Sequence, residues 1–114
     1  MTTNINDFQY AINQIINKVA SYEEKNNKEK LTINALALVG EAGEIANKFK
    51  KILRGDEIVD PYGDIAKEAG DVLWYLAGLA EVLGVNLEDI AQNNLDKLAD
   101  RKRRGAIEGF GDDR

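Results

Sequence analysis

Almost nothing in this chain of 114 residues interrupts a helix: there is a single proline, Pro61, and strand-like alternating segments are scarce. An all-α fold follows, and at this length one compact domain with a single core. Hydrophobic residues at 44% and charged residues at 31% place the chain with globular proteins and away from disordered ones. The helical domain is expected to cover residues 1–104. Residues 105–114, with three glycines, read as a flexible tail.

Apolar residues at helical spacing define four helices. Ile5, Phe8, Ile12, Ile15, Ile16 and Val19 predict a first helix over about residues 6–26, ending in the polar run 23–30. A second begins near Thr32 and stops before Gly55, a glycine suited to a left-handed stop; Ala35, Leu38, Ala42, Ile45, Phe49 and Ile52 form its stripe. Asp60-Pro61 reads as an N-cap followed by proline at the first helical position. That third helix runs to about Leu83, with Gly84 ending it and Ile65, Ala69, Val72, Leu73, Leu76 and Ala80 on its core side. Asn86, with Glu88 and Asp89 in the first turn, starts a fourth. Short connections favour antiparallel neighbours, and so an antiparallel four-helix bundle.

Cysteine and histidine are both absent, which excludes disulfides, structural zinc, thiol nucleophiles and imidazole bases. Chemistry must come from carboxylates, amines, hydroxyls or amides. A formal net charge of −5 argues against a broad grip on a nucleic acid polymer, which needs a basic surface. It leaves room for a single nucleotide, because a divalent cation held by clustered acids reverses the local sign. The polar N-terminus and the lack of a long apolar run show no signal peptide or membrane anchor, so a cytoplasmic location is expected.

The acids are arranged unusually. Glu41-Ala-Gly-Glu44 lies midway along the second helix and Glu68-Ala-Gly-Asp71 near the start of the third. Residues three apart share a helix face, so each pair aims two carboxylates at one neighbourhood. Both pairs fall beside the apolar stripe, whereas acids kept for solubility usually occupy the opposite face. Like charges at the rim of a core repel each other and resist desolvation, and so call for a compensating charge. Four such carboxylates on adjacent helices are hard oxygen ligands suited to Mg²⁺ or Mn²⁺. Gly40, Gly43 and Gly70 stand within or beside these pairs and each costs about 1 kcal/mol relative to alanine in a helix. Close helix approach is one reason to keep them; room for a metal and a phosphate is another.

These residues resemble the MazG-like branch of the all-α nucleoside triphosphate pyrophosphohydrolases, a group that also includes dimeric dUTPases. The family pattern is E-x-x-E, a variable spacer, and E-x-x-D on the next helix. Here it is Glu41 and Glu44, the 23 residues 45–67, then Glu68 and Asp71. The surrounding words match too: Gly40-Glu-Ala-Gly-Glu-Ile, and Glu68-Ala-Gly-Asp-Val-Leu-Trp-Tyr-Leu. Asn94, Lys97 and Arg101 resemble the family's N-x-x-K-x-x-x-R element, and the tail from Arg104 to Arg114 resembles that of a phage- and bacteria-associated subgroup.

The resemblance implies cleavage of a (d)NTP between its α- and β-phosphates, giving (d)NMP and pyrophosphate, with a role in nucleotide-pool house-cleaning. Glu41, Glu44, Glu68 and Asp71 would hold one to three Mg²⁺ ions, with Mn²⁺ as a substitute, and Glu44 is chosen as acceptor of the attacking water's proton. Lys48, Lys51, Lys97 and Arg101 are candidates for phosphate oxygens, Asn94 for the sugar or a phosphate, and Tyr75 for substrate contact.

Plainer roles stand beside these. Lys48 is four residues after Glu44, as in an ordinary helix ion pair, and Lys102, Arg103 and Arg104 complement the negative end of their helix. Trp74 falls off the acid face, which favours a packing or subunit-contact role over base stacking. A homodimer or homotetramer is expected, without membrane or nucleic-acid partners. The contrasting hypotheses are a non-enzymatic helical oligomerisation module and a hydrolase of narrow, dUTPase-like specificity.

Overall fold

A computed structural model of the chain describes residues 3–105. Among these residues all regular structure is helical, in five segments: α1 (Ile5–Ile15), α2 (Ala20–Glu23), α3 (Asn27–Arg54), α4 (Pro61–Leu83) and α5 (Leu87–Arg104). The tail from residue 106 onward, with most of its proposed likeness to a phage-associated subgroup, lies outside the described residues.

Local chemistry sets most boundaries. The Asn4 side chain accepts from the Asp7 backbone N–H at 2.8 Å and starts α1. Asp60 caps α4 through the Gly63 N–H, with Pro61 at the first position. Gly55, Gly84 and Gly105 close α3, α4 and α5 in the left-handed conformation, at φ of 88°, 72° and 69°.

Two expectations are corrected. The first helix does not continue to residue 26: it ends at Ile15, turns through residues 16–19 and resumes as the single turn α2. At the break the Ile12 carbonyl accepts from both Ile16 and Asn17, and Val19 is extended. The β-branched run and Asn17 hold the helix weakly. The break delivers Tyr22 into a buried position where its hydroxyl accepts from Asn34 Nδ2 at 3.0 Å.

The second correction concerns α3, which begins at Asn27 and not near Thr32. Asn26 and Glu29 form a reciprocal capping box, with Glu29 N–H to Asn26 Oδ1 at 2.8 Å and Asn26 N–H to Glu29 Oε1 at 3.1 Å. Part of the polar run is therefore the first turn of a helix.

Helix α4 is the centre of the fold. It packs along α3 on one side and against α1 and α5 on the other. Pairing of Asn34 with Gly78 and of Lys48 with Glu68 shows that α3 and α4 run antiparallel. The core sits where α1, α4 and α5 meet: Ile12, Ala77 and Leu87 are buried, with Ile5, Phe8, Leu73 and Trp74 packed around them. Trp74 meets Phe8 edge to face at 5.8 Å, the packing role expected of it.

Gln9, itself buried, locks this junction. Its Nε2 donates to Glu81 Oε1 at 3.0 Å and to the Val85 carbonyl at 2.7 Å, while its Oε1 accepts from the Leu87 N–H at 2.6 Å. Gln9 thus serves the first amide of α5, at a helix start where Asn86 makes no side-chain cap bond.

Candidate metal centre

The α3–α4 seam brings three carboxylates together. One oxygen each from Glu41, Glu68 and Asp71 lie within 4.8 Å of one another; Glu41 and Glu68 are half-buried and Asp71 is exposed. The hairpin does this because α3 and α4 are antiparallel and each carries an acid pair near the same level. Glu44, one turn beyond Glu41, is exposed and is not one of these three. It still adds to the negative field at Glu41.

Crowding changes how Glu41 titrates. A hydrogen bond with Glu68 pushes its carboxyl above the ordinary glutamate value, followed by desolvation and then by the charges of Glu68, Asp71 and Glu44. The donor set suits a hard divalent cation: oxygens only, clustered, half-desolvated and mutually repelling. Magnesium fits these residues in chemistry.

Lys48 touches the cluster. Lys48 Nζ lies 3.9 Å from Glu68 Oε1, with both side chains half-buried. The ion pair therefore crosses between helices, where sequence spacing had pointed to Glu44 on the same helix. Lys48 and Lys51 also line a cavity of about 120 Å³ at the α3–α4 turn, with Ile52, Ile58, Pro61 and Asp64.

Tyr75 is half-buried on α4, four residues and so about one turn beyond Asp71. Asn94, Lys97 and Arg101 stand on α5, which packs on α1 and α4. Asn94 is exposed, Lys97 half-buried and Arg101 buried. Neither the lysine cavity nor the Lys48 ion pair includes a residue of α5. At the end of α5, Arg103 and Arg104 both pair with Asp100, the latter through Nε at 2.8 Å.

The site glycines stand in open space. Among the described residues, a methyl group added at Gly40, Gly43 or Gly70 would meet nothing within 4 Å. Close approach of α3 and α4 within this chain is therefore not what keeps them. The seam's tight glycine is one that sequence reasoning passed over, Gly78, where an added Cβ would come within 2.3 Å of Asn34 Oδ1. Its only trace in the sequence is a glycine in the middle of an apolar helix.

No helix among the described residues is long and apolar enough to cross a membrane. No solved structure matches the chain significantly. A relative from Mycobacterium phage L5, the Gene 37 protein, is 52% identical over 89 residues, covering 75% of this chain and 78% of that protein. The model of the MazG nucleotide pyrophosphohydrolase domain matches residues 29–105, which include α3 from Glu29 onward, α4, α5 and every carboxylate of the cluster. The chain belongs to the MazG nucleotide pyrophosphohydrolase family.

Proposed function

We propose that this protein is a Mg²⁺-dependent nucleoside triphosphate pyrophosphohydrolase that converts a (d)NTP to (d)NMP and pyrophosphate, in the service of nucleotide-pool house-cleaning. The observation that carries the reading is the convergence of Glu41, Glu68 and Asp71 oxygens within 4.8 Å, in a chain of this family and with Lys48 at the edge. Glu41, Glu68 and Asp71 would hold the ions, with Glu44 reaching them from the next turn of α3. When bound, divalent ions neutralise phosphate oxygens and lower the pKa of water.

The chain's own groups do the rest. Glu44, exposed and outside the three-oxygen cluster, takes the proton of the attacking water. Lys48 and Lys51 hold phosphate oxygens at the α3–α4 turn. Tyr75 contacts the nucleoside, and Asn94, Lys97 and Arg101 reach the sugar and phosphates from α5.

We also infer that the protein works as a homodimer or a dimer of dimers. Leu36 and Val39 on α3 are each 69% exposed and Leu53 is 91% exposed, a long apolar face with no cover from the described residues. The radius of gyration, 17.1 Å, exceeds the roughly 13 Å of a compact chain of this length. Two α3–α4 pairs facing one another would bury these residues and complete an antiparallel four-helix bundle. Light scattering after gel filtration should give twice or four times the chain mass; a monomer at micromolar concentration contradicts this.

The decisive assay is a panel of ribo- and deoxynucleoside triphosphates with Mg²⁺, reading pyrophosphate and monophosphate. Release of both from at least one substrate is expected, and EDTA should stop it. Turnover of a single nucleotide such as dUTP would assign a narrow specificity. Release of orthophosphate and diphosphate, or no turnover across the panel, refutes the reading.

A further inference from the structure

Lys48 occupies a position that an ordinary surface lysine does not. Its spacing to Glu44 suits a pair within α3, yet its ammonium group reaches across to Glu68 on α4, at 3.9 Å. Glu68 is one of the three clustered carboxylates, so Lys48 supplies positive charge to a carboxylate that a divalent ion would use. The lysine also lines the cavity that holds Lys51 and Asp64, bounded by the apolar side chains of Ile52, Ile58 and Pro61. A four-carbon stem lying on such a wall lets the ammonium head swing while the stem stays packed.

Asp64 is one helical turn from Glu68 on α4, and so offers a second acidic partner on the cavity side. Asp64 and Lys48 line one cavity, which gives the ammonium group an acidic neighbour other than Glu68 to turn to. A divalent cation at Glu41, Glu68 and Asp71 adds two positive charges beside Glu68 and repels the ammonium towards Asp64.

We propose that Lys48 is a displaceable counter-ion, which neutralises Glu68 while the acid cluster is without metal and is driven to the lysine cavity when a divalent cation takes that carboxylate. This rests on the metal-site reading above. Metal occupancy then decides whether the charge of Lys48 neutralises Glu68 or is presented, beside Lys51, to an anionic phosphate chain. Metal and polyphosphate binding are thereby coupled through one side chain.

The test is Mn²⁺ binding by the intact protein without nucleotide, read from the electron paramagnetic resonance signal of free Mn²⁺ and from the Mn²⁺-induced rise in Tm. Lys48→Met should bind Mn²⁺ about fivefold tighter than wild type, the ratio that corresponds to a partly buried ion pair no longer competing. Its Tm should rise more on Mn²⁺ addition. Lys48→Arg, which keeps the charge, should bind as wild type does, and so should Lys50→Met, which removes an exposed charge two residues away. Equal or weaker Mn²⁺ binding by Lys48→Met overturns the counter-ion role and leaves the metal site standing. Tighter binding by Lys50→Met to the same extent also overturns it, since the effect would then be general electrostatics. Absence of Mn²⁺ binding in both wild type and Lys48→Met overturns this proposal and the metal site together.

Discussion

Replacing Gly78 with alanine puts the packing of the α3–α4 seam to a quantitative test. The new Cβ would lie 2.3 Å from Asn34 Oδ1 and 3.0 Å from Asn34 Cγ, so the amide must move by about 1 Å to reach ordinary contact. The terminal oxygen of an asparagine can rotate away, but here rotation is costly. Asn34 is buried, and its Nδ2 donates to Tyr22 Oη at 3.0 Å and to the Lys30 carbonyl at 2.9 Å. Losing those bonds costs about 1 kcal/mol each, and overpacking about 1–3 kcal/mol. Alanine returns about 1 kcal/mol through its helix propensity.

The net expectation is a loss of about 2–4 kcal/mol, measured by urea unfolding followed by circular dichroism. Asn34→Ala removes the obstructing atoms, so adding Gly78→Ala to that background should cost nothing further and recover the helix-propensity gain. Gly70→Ala provides the opposite sign: no atom of the described residues lies within 4 Å of its added methyl, and stability should rise by up to about 1 kcal/mol. A Gly78→Ala protein as stable as wild type would refute the seam described above.

Other outcomes follow from particular contacts. Gln9→Leu should destabilise by about 1–3 kcal/mol in thermal and urea unfolding, because the Leu87 N–H, the Val85 carbonyl and Glu81 all lose a buried partner. Asn26→Ala breaks the capping box of α3 and should cost about 1 kcal/mol by the same assays. Because Glu41 titrates above its ordinary value of 4.5, the native chain binds more protons than the unfolded one between that value and the raised one. The stability tied to Glu41 is thus fully present below the ordinary value and lost as pH rises through the raised one. In EDTA, Tm should fall over this window in wild type and not in Glu41→Gln, and Mg²⁺ should abolish the fall. A flat wild-type profile would contradict the crowding. Asp56 and Asp100, held low by Arg54 and by Arg104 with Arg103, act in a lower pH window and do not obscure it.

Features governed by neighbours in sequence were legible; those governed by neighbours in space were not. Gly55, Gly84 and the Asp60-Pro61 start all act within one turn of chain, and each stands where local chemistry places it. The Asn26–Glu29 capping box is equally local, and a polar run masked it because the first turn of α3 faces outward. The end of α1 at Ile15 is backed by the bond between Tyr22 and Asn34, twelve residues apart, which periodicity does not encode. Gln9 shows the same limit, since a polar residue within an apolar stripe reveals its worth only when α5 arrives above it.

At the site, helical spacing aligned Glu41 with Glu44 and Glu68 with Asp71. Only the antiparallel register selects Glu41, Glu68 and Asp71 as the tight group and turns Lys48 towards Glu68. The base-contacting surface is not written in this pattern, because recognition of a base depends on side chains brought together from several elements.

The proposed activity depends on the carboxylate cluster of α3 and α4. Its most direct test is the rate of Mg²⁺-dependent pyrophosphate release by Glu68→Gln and Asp71→Asn against wild type, with helical content checked by circular dichroism. Both variants are predicted to keep their helices and to lose activity by about a hundredfold or more, as expected when ligands to a catalytic ion are removed. Wild-type rates in both folded variants would contradict it.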